Sequence, residues 1–146
     1  MSNSAAHTRW DIKYHLVWVP KYRRRILKSP SKAEYVKWIL RRLGAEYGFA
    51  IVELEVMPDH IHMFIEAPPR YSPARLMNII KSITAREMFK KFEDLRELMW
   101  AGELWADGYY VGTVGDKVTA EAVRKYIRKQ RTEAQELDDG TAPEGP

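Results

Sequence analysis

Two short stretches hold the side chains best suited to chemistry: His60-Ile61-His62 and, some sixty residues further on, Tyr126-Ile127-Arg128-Lys129-Gln130. The first reads as a strand, where alternate residues share a face, so both imidazoles point the same way. The second reads as a helix, where residues four apart lie one turn apart, which sets the Tyr126 phenol near the Gln130 amide. Together they offer two neutral nitrogen donors, one amide oxygen and one nucleophile, a set suited to metal-assisted attack on a phosphodiester. Neither stretch decides the matter alone. His-x-His pairs occur on strands as ordinary hydrogen-bonding residues, and helix tyrosines commonly mark the edge of a core. A tyrosine nucleophile needs its phenolate stabilised, and Arg124, Lys125, Arg128 and Lys129 crowd the same helix. Imidazole with amide oxygen does not demand zinc. Magnesium or manganese fits, with phosphate and water completing the shell. Asp59 has two readings: a turn residue, the simpler one, or a group that orients the neighbouring imidazole.

The elements that must position these groups can be read along the chain. Residues 1–8 read as a flexible N-terminus, 9–136 as one domain and 137–146 as a disordered, acidic, Gly/Pro-rich tail. Lys13 to Val19 is aromatic and β-branched and reads as a strand ended by Pro20. Ser31 and Glu34 have capping-box spacing ahead of a helix that buries Tyr35, Val36, Ile39, Leu40 and Leu43 and ends at Gly48. Ala50–Val56 and His60–Glu66 read as a hairpin around Met57-Pro58-Asp59. Ser72 and Pro73 open a long helix to about Phe92. Asp94 to Trp105 is ambiguous, Tyr109–Val114 reads as a fourth strand, and Thr119 opens a last helix. The order βαββαβ with an extra helix predicts an α+β fold, a ferredoxin-like four-stranded antiparallel sheet with two helices on one face. Ile61, Met63 and Ile65 suit the covered face. His60, His62 and Phe64 then fall on the open face, where the last helix could cross and deliver Tyr126.

Composition narrows the options. The 146 residues contain no cysteine, which excludes disulfides, thiolate metal sites and a cysteine nucleophile and accords with a reducing cytoplasm. No apolar run reaches the roughly 20 residues of a membrane span, so no membrane role is expected. The net charge of +4 is modest, but its distribution favours a polyanion. Lys21, Arg23, Arg24, Arg25 and Lys28 form one acid-free cluster, and Arg124, Lys125, Arg128, Lys129 and Arg131 form another. Arg75, Lys81, Arg86 and Lys90 on the long helix either line a phosphate backbone or make a solvated face. Tyr22 and other aromatics offer surfaces on which unpaired bases stack. No glycine-rich phosphate loop is present, against a nucleotide-hydrolysing motor.

The segments Tyr14-His15-Leu16-Val17-Trp18 with Lys21-Tyr22-Arg23, Glu55 to His62, Leu104-Trp105 before Tyr109-Tyr110, and Tyr126 to Gln130 carry a resemblance. Over residues 9–135 the chain resembles the small HUH single-tyrosine transposases of the insertion sequence 200/605 family. The resemblance implies that His60, His62 and Gln130 hold a divalent cation, Mg2+ or Mn2+. It implies that Tyr126 attacks a scissile phosphate of single-stranded DNA, leaving a 5′-phosphotyrosine and a free 3′-hydroxyl that later rejoins strands without ATP. It implies a homodimer joined through the fourth strands, with the tyrosine helix of one subunit serving the histidines of the other. It also implies imperfect hairpins at element ends as partners, with Lys21, Arg23, Arg24, Arg25, Lys28, Arg75, Arg86, Arg124 and Lys129 as candidate DNA contacts, in a cytoplasmic, nucleoid-associated bacterial or archaeal protein. The alternatives are a non-catalytic single-stranded nucleic-acid binder of RNA-recognition type, a longer-chain relative of the same chemistry such as a relaxase, and a degenerate transposase.

Overall fold

A computed structural model describes residues 3–5, 8–10, 12–99, 102–113 and 125–128. The strands are β1 (Asn3–Ala5), β2 (Thr8–Trp10), β3 (Lys13–Trp18), β4 (Ala50–Met57), β5 (His60–Glu66) and β6 (Tyr110–Thr113), and the helices are α1 (Pro30–Tyr47), α2 (Pro73–Lys91) and α3 (Glu93–Leu98). The main sheet has the order β4-β5-β3-β6. All of its pairings are antiparallel. This is the expected α+β, ferredoxin-like arrangement. β1 and β2 pair separately as a small ribbon where a flexible stretch was expected. The acidic tail expected over 137–146 lies outside the described residues.

Local chemistry explains the helix limits. α1 begins at Pro30, whose missing N–H is harmless at the first position. Ser29 is its N-cap and makes no side-chain cap bond, so the Ser31/Glu34 capping box does not form: Ser31 lies within the first turn, past the cap. Gly48 ends the helix at φ 80, a left-handed conformation that glycine adopts without a Cβ clash, and its N–H donates to the Gly44 carbonyl at 2.9 Å. Ser72 caps α2 as expected, its Oγ accepting from the Arg75 N–H at 3.1 Å. Within the ambiguous stretch Glu93–Leu98 forms α3, and Trp105 makes an isolated antiparallel bridge with Pro20.

One face of the sheet meets α1 and α2. Leu16 and Trp18 from β3 and Ile61, Met63 and Ile65 from β5 are fully buried against Val36, Ile39, Leu40, Leu43, Leu76, Met77, Ile80 and Met88. Each buried side chain of this size contributes on the order of 1.5–3 kcal/mol over exposure. Residues 104–106 run back along the end of β3: the Lys21 N–H donates to the Leu104 carbonyl and the Ala106 N–H to the Val19 carbonyl. Trp105 packs edge-on against Trp18, with ring centres 6.0 Å apart.

Candidate active site

The register sets out the second face of the sheet. His62 lies opposite Val17 on β3, His15 opposite Phe64, and Tyr110 opposite Val17 from the other side. On β4, Met57 faces His60, Glu55 faces His62 and Glu53 faces Phe64. Cross-strand partners share a face. His15, His60, His62, Phe64 and Tyr110 therefore lie on one face, with Glu53 and Glu55 flanking. Val17, on this face, is completely buried, so the centre of the face is covered.

Residues 125–128 are helical, and the Tyr126 ring lies 6.1 Å from that of Tyr110. The contact sets this helical segment at the β6 side of the histidine-bearing face. His62 and Tyr110 flank Val17 on either side, two strand spacings or roughly 10 Å apart. Gln130, Arg124 and Lys129 lie outside the described residues.

Each histidine of this face has a defined partner. His60 Nδ1 is 3.0 Å from Asp59 Oδ1, and Asp59 Oδ2 is 2.7 Å from a terminal nitrogen of Arg23. Burial works to raise the Asp59 pKa, but the hydrogen bond with His60 and then the Arg23 charge outweigh it and hold the carboxyl below its ordinary range. The carboxylate can only accept, so the neutral form of His60 carries its proton on Nδ1 and its lone pair on Nε2. Asp59 is thus both a turn residue and the partner that fixes the imidazole, beyond the simpler turn role.

His62 Nε2 is 3.0 Å from His15 Nδ1, and His15 stacks flat on Phe64 with centres 4.5 Å apart and planes within 7°. Burial, then the neighbouring His15, lowers the His62 pKa; burial lowers that of His15, against an opposing pull from Glu53. Both rings are therefore neutral at neutral pH, and the bond between them takes the proton of one and the lone pair of the other; His62 keeps a free lone pair, on Nδ1, when its Nε2–H is the donor. Sequence alone gives His15 no role beyond its place in the resembling segment Tyr14–Trp18. The missing signal was strand order: once β3 lies beside β5, alternation alone sets His15 diagonally next to His62.

A divalent ion suits this donor set. His60 presents Nε2 with a carboxylate bonded behind it, the usual support for a metal-ligating imidazole, and His62 supplies a second neutral ring. Among the described residues, no three His, Cys, Asp or Glu side chains gather to hold an ion.

The expected DNA contacts divide. Arg25, Lys28, Arg75 and Arg86 are exposed. Lys21 pairs with Glu103 at 2.7 Å. The Arg24 guanidinium lies 5.6 Å from the centre of the Tyr22 ring. Arg23, expected on phosphate, has its guanidinium committed to Asp59. Lys81 is also turned inward, donating to the carbonyls of Ala106 at 2.8 Å and Gly108 at 2.9 Å. Tyr22 to Ile26 and Leu98 line an open basic groove of about 370 Å³. Tyr22 (φ 58) and Arg23 (φ 50) both adopt left-handed backbone, which costs on the order of 1–3 kcal/mol at each non-glycine residue.

Comparison with known proteins agrees with this architecture. A family model described as "Transposase IS200 like" matches residues 8–130. The chain is 36% identical over 121 residues to the ISDra2 transposase TnpA of Deinococcus radiodurans, covering 83% of this chain and 85% of that protein. It is 42% identical over 130 residues to the transposase for insertion sequence element IS200 of Salmonella typhimurium, covering 89% and 84% respectively. A crystal structure of a Deinococcus radiodurans R1 protein superposes with a TM-score of 0.79 at 34% identity, covering 88% of this chain and 97% of that one. Among the described residues no helix is long and apolar enough to cross a membrane. The chain belongs to the IS200-like transposase family.

Proposed function

We propose that this transposase cleaves and rejoins single-stranded DNA through Tyr126, at a divalent-metal site that includes His60 and His62. The observation that carries the reading is the shared face: the two imidazoles and the Tyr110 ring against which Tyr126 packs belong to one side of one sheet. In the cleavage step the Tyr126 phenolate oxygen forms a bond to the scissile phosphorus. The bond from phosphorus to the 3′-oxygen breaks, and that oxygen leaves as a hydroxyl after taking up a proton. In the joining step a 3′-hydroxyl attacks the same phosphorus, the phosphotyrosine bond breaks and the phenol is restored. The phosphodiester energy stays in the covalent link, so no nucleotide is consumed.

A Mg2+ or Mn2+ ion, when bound, supplies Lewis-acid polarisation of the phosphate oxygens. His60 and His62 would hold it, with Gln130 as the expected third protein donor. The chain's own contribution is orientation: Asp59 keeps the His60 Nε2 lone pair available, and His15 fixes the plane of His62. The groove around Tyr22–Ile26 and the exposed Arg25, Lys28, Arg75 and Arg86 offer cations and a ring face to a DNA strand. Homodimerisation finds support in β6, an edge strand whose Val111 is 39% exposed.

The test is a labelled single-stranded substrate containing an imperfect hairpin from an element end, incubated with Mg2+ or Mn2+. A covalent protein–DNA band that survives denaturing electrophoresis is expected. It disappears in Tyr126→Phe and without metal, while DNA binding by Tyr126→Phe persists. Persistence of the band in that variant would remove Tyr126 from the reaction.

A further inference from the structure

The Lys21–Lys28 segment reaches the turn between β4 and β5 at two points. The Leu27 N–H donates to the Pro58 carbonyl at 3.1 Å, and the Arg23 guanidinium meets Asp59 at 2.7 Å. The next residue, His60, is bonded through Nδ1 to the other oxygen of the same carboxylate. Arg23 and Asp59 side chains are only 14% and 15% exposed, so the pair is shielded from bulk water. The backbone that delivers Arg23 is unusual, with two consecutive non-glycine residues in left-handed conformation, tied by the Arg23 N–H to the Pro20 carbonyl at 2.7 Å. Such conformations persist only where surrounding contacts impose them. Here they turn one arginine of a basic run away from solvent and onto the carboxylate behind a histidine.

We propose that Arg23 is a positioning residue: acting through Asp59, it fixes the ring plane and tautomer of His60 and so sets the affinity of the metal site. One oxygen of Asp59 is held by Arg23, which leaves the other aimed at Nδ1. That bond commits the proton to Nδ1 and presents Nε2 outward. Without Arg23 the carboxylate is free to rotate, and His60 samples both tautomers and other ring orientations. The basic segment thereby serves the metal site from behind, while its neighbours Arg25 and Lys28 remain on the surface. This inference rests on His60 being a metal ligand, and its experiment separates failure of that reading from failure of the proposal.

The experiment compares full-length wild type, Arg23→Met, Asp59→Asn and the double variant, each shown to be folded by near-UV circular dichroism. Nitrogen-15 spectra of the metal-free proteins report the His60 tautomer, and titration calorimetry with Mn2+ reports affinity. Wild type should show His60 protonated at Nδ1, and Arg23→Met a mixture of tautomers. Mn2+ affinity should fall about tenfold or more in Arg23→Met, the usual range for loss of an outer partner. In the Asp59→Asn background the Arg23 substitution should add little, because the path runs through that carboxylate. If Arg23→Met does not fold, Arg23→Lys carries the test, with a smaller shift in the same direction. An unchanged tautomer, an unchanged Mn2+ affinity, or an undiminished Arg23 effect without the carboxylate overturns the proposal. A wild-type protein that binds no Mn2+ refutes the metal reading, and the proposal falls with it. Mn2+ binding without DNA cleavage refutes the strand-transfer reading alone.

Discussion

Trp105 offers a sharp test of how the fold supports the site. Its indole Nε1–H donates to Thr84 Oγ1 at 2.9 Å, and that hydroxyl donates in turn to the Ile80 carbonyl at 2.6 Å. Thr84 is completely buried and Trp105 is 5% exposed. Thr84→Val keeps the side-chain shape but removes the acceptor, leaving a buried donor without a partner. That loss should cost about 1–3 kcal/mol. The Ile80 carbonyl still accepts from the helix backbone, so it adds little. Trp105→Phe removes the donor along with part of an indole body, at roughly 1–2 kcal/mol, a fraction of full aromatic truncation. In the double variant no orphan donor remains. The combined loss should therefore fall short of the sum by about 1–2 kcal/mol. Equilibrium urea unfolding of the four proteins measures this coupling. Additivity, or a Thr84→Val stability equal to wild type, would refute the claim that this buried bond holds residues 104–106 against α2. The same residues bond to Val19 and Lys21 at the entrance to the basic segment, so the loosened variants should also show faster amide exchange at Lys21.

Three further outcomes follow from particular contacts. Gly44→Ala should destabilise by about 1–3 kcal/mol in thermal or urea unfolding, because a Cβ there would sit 2.9 Å from the Phe49 carbonyl oxygen, backbone that can yield only by shifting β4 away from α1. The hydrogen bond with Glu103 raises the Lys21 pKa above its ordinary value, so the pair's contribution is complete below the unfolded value of 10.5 and fades as pH climbs through the higher folded value. Unfolding of Glu103→Gln should therefore show a deficit below about 1 kcal/mol at neutral pH, reduced by the largely solvated setting, that closes above pH 10.5. Chelation of divalent ions should abolish the covalent protein–DNA band while gel-shift binding to the same hairpin persists, since phosphate contacts by exposed arginines need no metal; loss of both together would count against separate binding and cleavage roles.

Much of this molecule could be read from residue order alone, for reasons that differ by element. β5 was legible to the residue because a proline turn precedes it and its apolar residues alternate with histidines. Pro73 after Ser72 fixed the start of α2 because proline fits a helix only in its first turn. The start of α1 was displaced because Ser31 and Glu34 imitate a capping box, while Ser29 is the N-cap and Pro30 begins the helix, two residues earlier than that box implies. His15 was not legible as a site residue: its neighbours depend on β3 inserting between β5 and β6, a tertiary fact. Arg23 was harder still. Nothing in Lys21-Tyr22-Arg23-Arg24-Arg25 says which guanidinium turns inward, because that choice is made by two left-handed residues that composition does not favour.

β5 divides its work between two faces. Ile61, Met63 and Ile65 carry the strand's share of the core, each fully buried. His60 and His62 project the other way and contribute little apolar burial. A histidine substitution that abolishes DNA joining therefore removes a donor group without opening a cavity beneath α1 and α2. Val17 is the exception on this face. It lies between His62 and Tyr110, on the histidine face, yet is completely buried. Side-chain truncation there would disturb the packing at the centre of the face, beside the Tyr110–Tyr126 contact. Under the proposed strand-transfer reading, loss of activity at Val17 would reflect a disturbed Tyr110–Tyr126 contact, whereas loss at His60 with stability intact would reflect loss of a proposed metal donor.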